Sequence, residues 1–238
     1  MKLGFIGTGE ITKAVVLGIT KSKIKYKKIL ISKRNNKISS YLKKINKKVI
    51  ISSDNQYIID NSDWIFLAIT PTVAKQILEK LKFKDKQIVI SFISTIKLRE
   101  LKLLSNKKTN IVRAIPLPPI SFMKGPIPLF PRNKKVSKFF NNIGDTIEIS
   151  DETTSLSFWA VSSLMAPYYE LLNEVSMWLQ KKGLNKWYAQ KYVVSLFSAL
   201  SDAAVMRSNK DLKLLVKTSQ TPKGLNEESL KFLKKKGF

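Results

Sequence analysis

Seven residues near the start of the chain carry the clearest chemistry: Ile6-Gly7-Thr8-Gly9-Glu10-Ile11-Thr12. Two glycines one residue apart, after an apolar run and before a helical pattern, suit a turn that takes a pyrophosphate. Gly7 lets the chain bend sharply out of a strand, and Gly9 has no side chain to hold a phosphate off the backbone. The helix opening at Glu10 would aim free N–H groups and its positive dipole end at the phosphates. Thr12 stands where a third small residue packs helix on strand. A second group follows at Ser32-Lys33-Arg34-Asn35. A ribose 2′-hydroxyl requires Asp or Glu there, whereas two cations with hydroxyl and amide donors suit a 2′-phosphate, which a guanidinium binds in fork geometry. The expected cofactor is NADP(H).

Other chemistries are excluded by what the chain lacks. It has no Cys, hence no disulfide, thiolate nucleophile or zinc–sulfur site, and no His, the commonest general base and metal ligand. No metal site is expected. The formal net charge is +26 over 238 residues. Such an excess can mark a nucleic-acid or anionic-membrane binder, but here the lysines run from Lys13 to Lys236 instead of clustering on one element with interleaved aromatics. A general Lys bias accounts for that spread, so nucleic acid is not expected as a partner, although the field favours anionic cofactors and substrates. No apolar run reaches membrane-spanning length and Met1 leads straight into a strand, which suggests a cytoplasmic protein without membrane contact.

The elements that must position these groups alternate. Strands are expected at Lys2–Gly7, Lys28–Ser32, Lys48–Ile51, Trp64–Ile69, Gln87–Ile93 and Asn110–Ile115. Helices are expected at Glu10–Lys21, before Asn46, from Pro71 and near Lys97–Leu104. This rhythm predicts an α/β fold, an N-terminal Rossmann doubly wound parallel sheet. Six prolines between Pro116 and Pro131 argue against any helix there and leave a loop with one edge strand near Ile127–Phe130. A helix at Val136–Asn142 and a strand at Thr146–Ile149 follow. After Asp151 the pattern is helical only, at Tyr168–Lys182, Lys186–Ser208 and Glu227–Lys236. Two domains are expected: residues 1–150 to bind the dinucleotide, and an all-helical 151–238 for substrate and dimerisation. The second carries Trp159, Met177, Trp178, Trp187, Tyr188 and Phe197 on more than one side, more apolar surface than one small layer can hide, so a homodimer is expected.

Several segments in order resemble the pyrroline-5-carboxylate reductase family. Gly4-Phe5-Ile6-Gly7-Thr8-Gly9 is similar to its opening, and Asp63 to Pro71 to its "D-x-I-x-L-A-V-K-P" strand and turn. Ile90-Ser91-Phe92-Ile93 is similar to its next strand, Val112-Arg113-Ala114-Ile115-Pro116 to "V-R-x-M-P-N", Ala166-Pro167-Tyr168 to "G-P-A-Y", and Thr221-Pro222-Lys223-Gly224 to "S-P-G-G-T-T". The resemblance implies cofactor contacts at Asn55 and along Ala68, Ile69, Thr70 and Pro71, besides the glycine turn. It implies substrate contacts at Pro116, Leu117, Pro118, Met165, Lys223, Gly224, Leu225 and Asn226, and a dimer through the late helices. The departures fall at substrate positions, with Leu117 for the family asparagine, Leu225-Asn226 for paired threonines, and Ser162-Ser163-Leu164-Met165 for a Ser-Gly-Ser-Gly loop. Thr70 also replaces a lysine.

The expected reaction is hydride transfer from NADPH to the C=N of a small anionic cyclic imino acid. A protonated imine requires no His base. The proton donor is unassigned; Tyr168 is the nearest candidate, with Tyr169 beside it. The substrate carboxylate could sit on N–H groups where Lys223 to Asn226 opens the last helix, with Asn226 as an alternative N-cap. Competing readings are an NADP-dependent reductase of another imine or keto acid, and a non-catalytic cofactor-binding, regulatory or nucleic-acid-binding protein.

Overall fold

The computed structural model describes residues 1–85, 87–105 and 109–237. The chain divides into two compact units, Met1–Ser163 and Leu164–Phe238.

In the first unit, β1 (Lys2–Ile6), α1 (Glu10–Lys21), β2 (Lys28–Ser32), α2 (Asn36–Ile45) and β3 (Val49–Ser52) form the first half of the doubly wound arrangement. There follow α3 (Asn55–Asp60), β4 (Trp64–Leu67), α4 (Pro71–Leu78), β5 (Ile88–Ser91), α5 (Leu98–Ser105) and β6 (Asn110–Ala114). A 3-10 helix (Pro118–Phe122), β7 (Pro126–Phe130), α6 (Lys134–Phe140), β8 (Asp145–Glu148) and α7 (Glu152–Ser162) complete it. Among the described residues the sheet order is β3-β2-β1-β4-β5-β6-β7-β8, parallel except between β6 and β7. The order reverses between β1 and β4, where open sheets of this kind bind ligands.

Residues along each strand alternate between two cores. Leu3, Phe5, Ile29, Trp64, Phe66 and Ile90 face α1, α2 and α6, where Phe5 stacks on Phe66 at 4.4 Å between ring centroids. Ile6, Leu30, Ile65, Leu67 and Val89 face α3, α4 and α5. With helices on both faces, the inner strands read as unbroken apolar runs.

The proline segment corrects the sequence reading twice. Pro118 and Pro119 open a 3-10 helix, at positions where a missing N–H costs nothing. Strand β7 is interior, not an edge: β8 lies outside it and β6 inside. Its prolines are tolerated because the ladder to β6 spans only Arg113↔Phe130 and Ala114↔Leu129, while the Pro128 carbonyl accepts from Ile115 N–H at 3.1 Å.

The all-helical pattern begins near Ser150, but α7 stays with the first unit. Its first residue, Glu152, accepts hydrogen bonds from Arg113 Nη1 and from the Leu98 N–H, both at 2.7 Å. In the second unit, α8 (Met165–Lys181) and α9 (Lys186–Val205) pack together through a connection in which Gly183 takes φ +97°. Two shorter helices follow, α10 (Leu212–Thr218) and α11 (Leu225–Lys235). Three short helices, α3, α7 and α10, are additions to the sequence reading. Each begins at an aspartate whose side chain accepts a backbone N–H: Asp54, Asp151 and Asp211.

Candidate functional site

The glycine turn sits where β1 gives way to α1. Gly7 has φ +98°, a region that disfavours any other residue, and a Cβ there would strike the Ala68 carbonyl. The turn is thus pressed against the end of β4. A Cβ on Gly9 would meet nothing within 4 Å, so the space over the first turn of α1 is open. Gly9 is the N-cap of α1 and no side chain caps it, which leaves first-turn N–H groups available to an anion. An open cradle at an uncapped helix start fits a pyrophosphate.

Hydrogen bonds hold this turn in place. Ser32 Oγ accepts from Gly7 N–H at 3.0 Å, and Thr8 Oγ1 donates to the Ser32 carbonyl at 2.5 Å. Thr12 is fully buried and donates to the Gly7 carbonyl at 2.7 Å. Threonine at the third position therefore adds a lock that glycine could not supply. Close helix packing is provided further along by Gly18, where a Cβ would lie 2.5 Å from the Ile120 carbonyl oxygen.

Two adjoining clefts open beside the turn. One, of about 370 Å³, is lined by Ile6, Gly7, Ser32, Lys33, Arg34 and Asn55 among others. The other, of about 460 Å³, is lined by Gly7, Thr8, Gly9, Arg34, Ala68, Ile69 and Thr70 with two asparagines. Ile69 and Arg34 belong to both. Segments remote in sequence thus converge on the turn. Lys33 and Arg34 are exposed at the rim, and among the described residues neither makes an ion pair. That leaves both cations free for a phosphate.

Some expected contacts take other roles. The Ser32 hydroxyl is occupied by Gly7 and Thr8, so it braces the turn and is not a free donor. Asn35 caps α2, its Oδ1 accepting from Ile38 N–H at 3.1 Å. Ile11 packs its side chain on the core. Glu10 is exposed, pairs with Lys13 at 3.2 Å, and lines a separate groove with Tyr41. Pro71 is the first residue of α4 with Thr70 as its N-cap. Asn36, Ser53 and Ile77 line the first cleft and were not anticipated; Asn36 follows the basic pair directly and could have been read from it, whereas Ile77 reaches the cleft from a helix.

Of the substrate candidates in the first unit, Pro116 is buried, Leu117 is the N-cap of the 3-10 helix and half-buried, and Pro118 is exposed. In the second unit, Met165 opens α8 and is half-buried. Tyr168 is 41% exposed and lies edge-on to Phe197 at 6.1 Å. The start of α11 differs from expectation. Its N-cap is Gly224, not Asn226, whose Nδ2 donates to the Ser219 carbonyl at 2.8 Å. Lys223 has φ +60°, and its N–H is taken by Glu227 Oε2 at 2.6 Å. Leu225 is 81% exposed. Glu227 and Glu228 occupy the first turn of α11, so its positive end is answered by the chain's own carboxylates. The Lys231 ammonium, 2.6 Å away, and the Lys223 N–H hold the Glu227 carboxyl below the usual carboxylate range. This turn is a poor receptor for a substrate carboxylate.

Residues 2–95 match the model of a family described as NADP oxidoreductase coenzyme F420-dependent. Curated relatives include the pyrroline-5-carboxylate reductase of Aquifex aeolicus, 20% identical over all of this chain and 91% of its own. Pyrroline-5-carboxylate reductase 2 of Bacillus subtilis is 24% identical over all of this chain and 88% of its own. Among solved structures, the Plasmodium falciparum pyrroline carboxylate reductase with NADP bound superposes with a TM-score of 0.85 at 22% identity, covering all of this chain and 91% of that one. A reductive aminase from Aspergillus terreus in complex with NADPH and ethyl levulinate matches more distantly, at a TM-score of 0.61 and 13% identity, over 87% and 76% of the two chains. Relatives of one kind align along its whole length, so the chain is similar from end to end to pyrroline-5-carboxylate reductases.

Proposed function

We propose that the protein is an NADP(H)-dependent reductase of the C=N bond of a small cyclic imino acid, of the pyrroline-5-carboxylate type used to make proline. The observation that carries this reading is the full-length likeness to pyrroline-5-carboxylate reductases, together with the open, uncapped glycine turn beside Arg34. A bound NADPH would supply the hydride. The chain supplies position: the first turn of α1 holds the pyrophosphate, Lys33 and Arg34 hold the 2′-phosphate, and Asn55 with the Ile69 and Ile77 side chains borders the rest of that cleft. Thr70 and Ala68 line the other cleft, and Pro116, Leu117 and Pro118 are proposed substrate contacts on the same unit. Orientation of this kind accounts for a large share of the rate in hydride transfers to a preformed electrophile.

The decisive assay is NADPH oxidation with pyrroline-5-carboxylate, other cyclic imines and 2-keto acids. Turnover of pyrroline-5-carboxylate is expected to exceed that of the keto acids; no turnover of any imine would defeat the reading. Preference for another imine is the second reading, favoured by the apolar Leu117 where the family has asparagine. The basic rim gives a separate expectation. Arg34→Ala should weaken NADPH binding about 10- to 100-fold, the worth of a charge-assisted hydrogen bond of about 1.5–3 kcal/mol, and leave NADH binding unchanged. Equal losses for both cofactors by calorimetry would remove the 2′-phosphate from Arg34.

A homodimer and a cytoplasmic location belong to the same proposal. In the second unit Trp178, Trp187 and Tyr192 are each more than half exposed, large side chains of the kind that a partner subunit would cover. Among the described residues no helix is long and apolar enough to cross a membrane. Light scattering at micromolar concentration should give twice the chain mass, and a monomer would refute the dimer.

A further inference from the structure

A second cleft of about 310 Å³ lies away from the glycine turn, lined by Lys23, Ile24, Lys25, Trp64, Lys135, Lys138 and Phe139 among others. Trp64 begins β4, while Gly7 follows the last residue of β1, and Leu3↔Trp64 and Ile6↔Leu67 bound their shared register. The two sites are therefore separated by roughly 10 Å along the strands. The reductase reading does not use this cleft.

Its chemistry is one-sided. Lys135 and Lys138 are three apart on α6 and so share a face, and Lys23 and Lys25 approach from the segment between α1 and β2. All four are exposed, and among the described residues no carboxylate lines the cleft and none of the four forms an ion pair. Lys135 Nζ stands 6.0 Å from the centre of the Trp64 ring. Ile24, Trp64 and Phe139, all buried, form the apolar part of the lining. Four cations without a paired carboxylate around a partly apolar cleft favour a multivalent anion that carries an apolar body. The volume is at the low end of small-molecule sites and suits one compact organic anion, not a length of polynucleotide.

We propose that this cleft binds a nucleoside diphosphate, its base on the apolar floor and its phosphates among Lys23, Lys25, Lys135 and Lys138. The probe is ADP, titrated calorimetrically into protein saturated with NADPH so that the dinucleotide site is filled. One ADP site should remain, and pyrophosphate should bind it at least about tenfold more weakly for want of the base. Reversing two charges, Lys135→Glu with Lys138→Glu, should lower ADP affinity about 100-fold, near tenfold per charge, with the Kd for NADPH unchanged. Loss of all ADP binding under saturating NADPH would assign it to the dinucleotide cleft and overturn the proposal. So would pyrophosphate binding as well as ADP, which would mean charge alone. A single-stranded oligonucleotide binding more tightly than ADP and weakening steeply with salt would replace it with an extended polyanion surface. Each of these outcomes is independent of whether the imine is reduced.

Discussion

Gly7→Ala and Gly9→Ala are expected to weaken dinucleotide binding about 100-fold by different routes. At Gly7 an added methyl must occupy φ +98° and overlap the Ala68 carbonyl. The left-handed conformation costs about 1–2 kcal/mol and the forced overlap about 1–3 more. The turn has to move, which breaks the Ser32 Oγ bond to Gly7 N–H and the Thr12 bond to the Gly7 carbonyl. Stability should fall by about 2–5 kcal/mol, and NADPH affinity by about 100-fold or more. At Gly9 the methyl meets no protein atom, so the fold should be as stable as before. It instead takes up space over the first turn of α1, where the phosphates would lie, and affinity should fall by a similar factor. Urea denaturation beside calorimetric titration separates the two effects. Undiminished NADPH binding by Gly9→Ala would mean that the pyrophosphate does not use this turn.

Removing Glu152 should be strongly destabilising although it lies away from the turn. Arg113 has a side chain with no exposure at all, and its Nη1 meets Glu152 Oε1 at 2.7 Å. Its Nη2 donates to the Ser94 carbonyl at 2.7 Å, while among the described residues its Nε has no partner. Glu152→Ala would leave a buried guanidinium without its counter-charge and strip the Leu98 N–H of its acceptor. Breaking such a pair costs about 3–5 kcal/mol, and the partial exposure of Glu152 puts the expected loss near the lower figure. Arg113→Met should cost less, because the remaining carboxylate is one-quarter exposed and keeps the Leu98 bond. Denaturation midpoints in the order wild type, Arg113→Met, Glu152→Ala would bear this out, and the reverse order would contradict it. The pair also explains why α7 belongs to the sheet-bearing unit although its sequence pattern belongs with the later helices.

The parts of the site that could be read in advance are those set by near neighbours in the chain. Helix α1 was expected over Glu10–Lys21 and β2 over Lys28–Ser32, and the structure has both at those bounds. Gly7 and Gly9 announced a turn because few other residues allow one, and Lys33 and Arg34 announced the anionic end of a cofactor by the absence of a carboxylate. Pairings across long separations were not legible. Ser32 reads as a donor for a ligand until the strand beside it brings Gly7 within hydrogen-bond distance. Asn226 reads as a helix cap until the chain folds back to Ser219. The prolines of β7 read as the mark of an edge strand, because nothing local says that β6 pairs with it over only two residues.

The sequence by itself determined the alternation of strands and helices, the glycine turn at the first crossover and the sign of the charge around it. Each of these depends on backbone preference, hydrophobic period or residue type within a few positions. Which side chains remain free for chemistry depends on contacts made in the folded chain. A hydrogen-bonded contact between distant segments occupies Ser32 and Thr8, and bonds across four or five residues that depend on the exact turn geometry occupy Thr12 and Glu227, whereas Arg34 and the space over Gly9 are open. The glycine turn was legible as a phosphate site from its two glycines. Its rigidity was not, because the Ala68 carbonyl that forbids a side chain at Gly7 comes from the far side of a parallel strand pair.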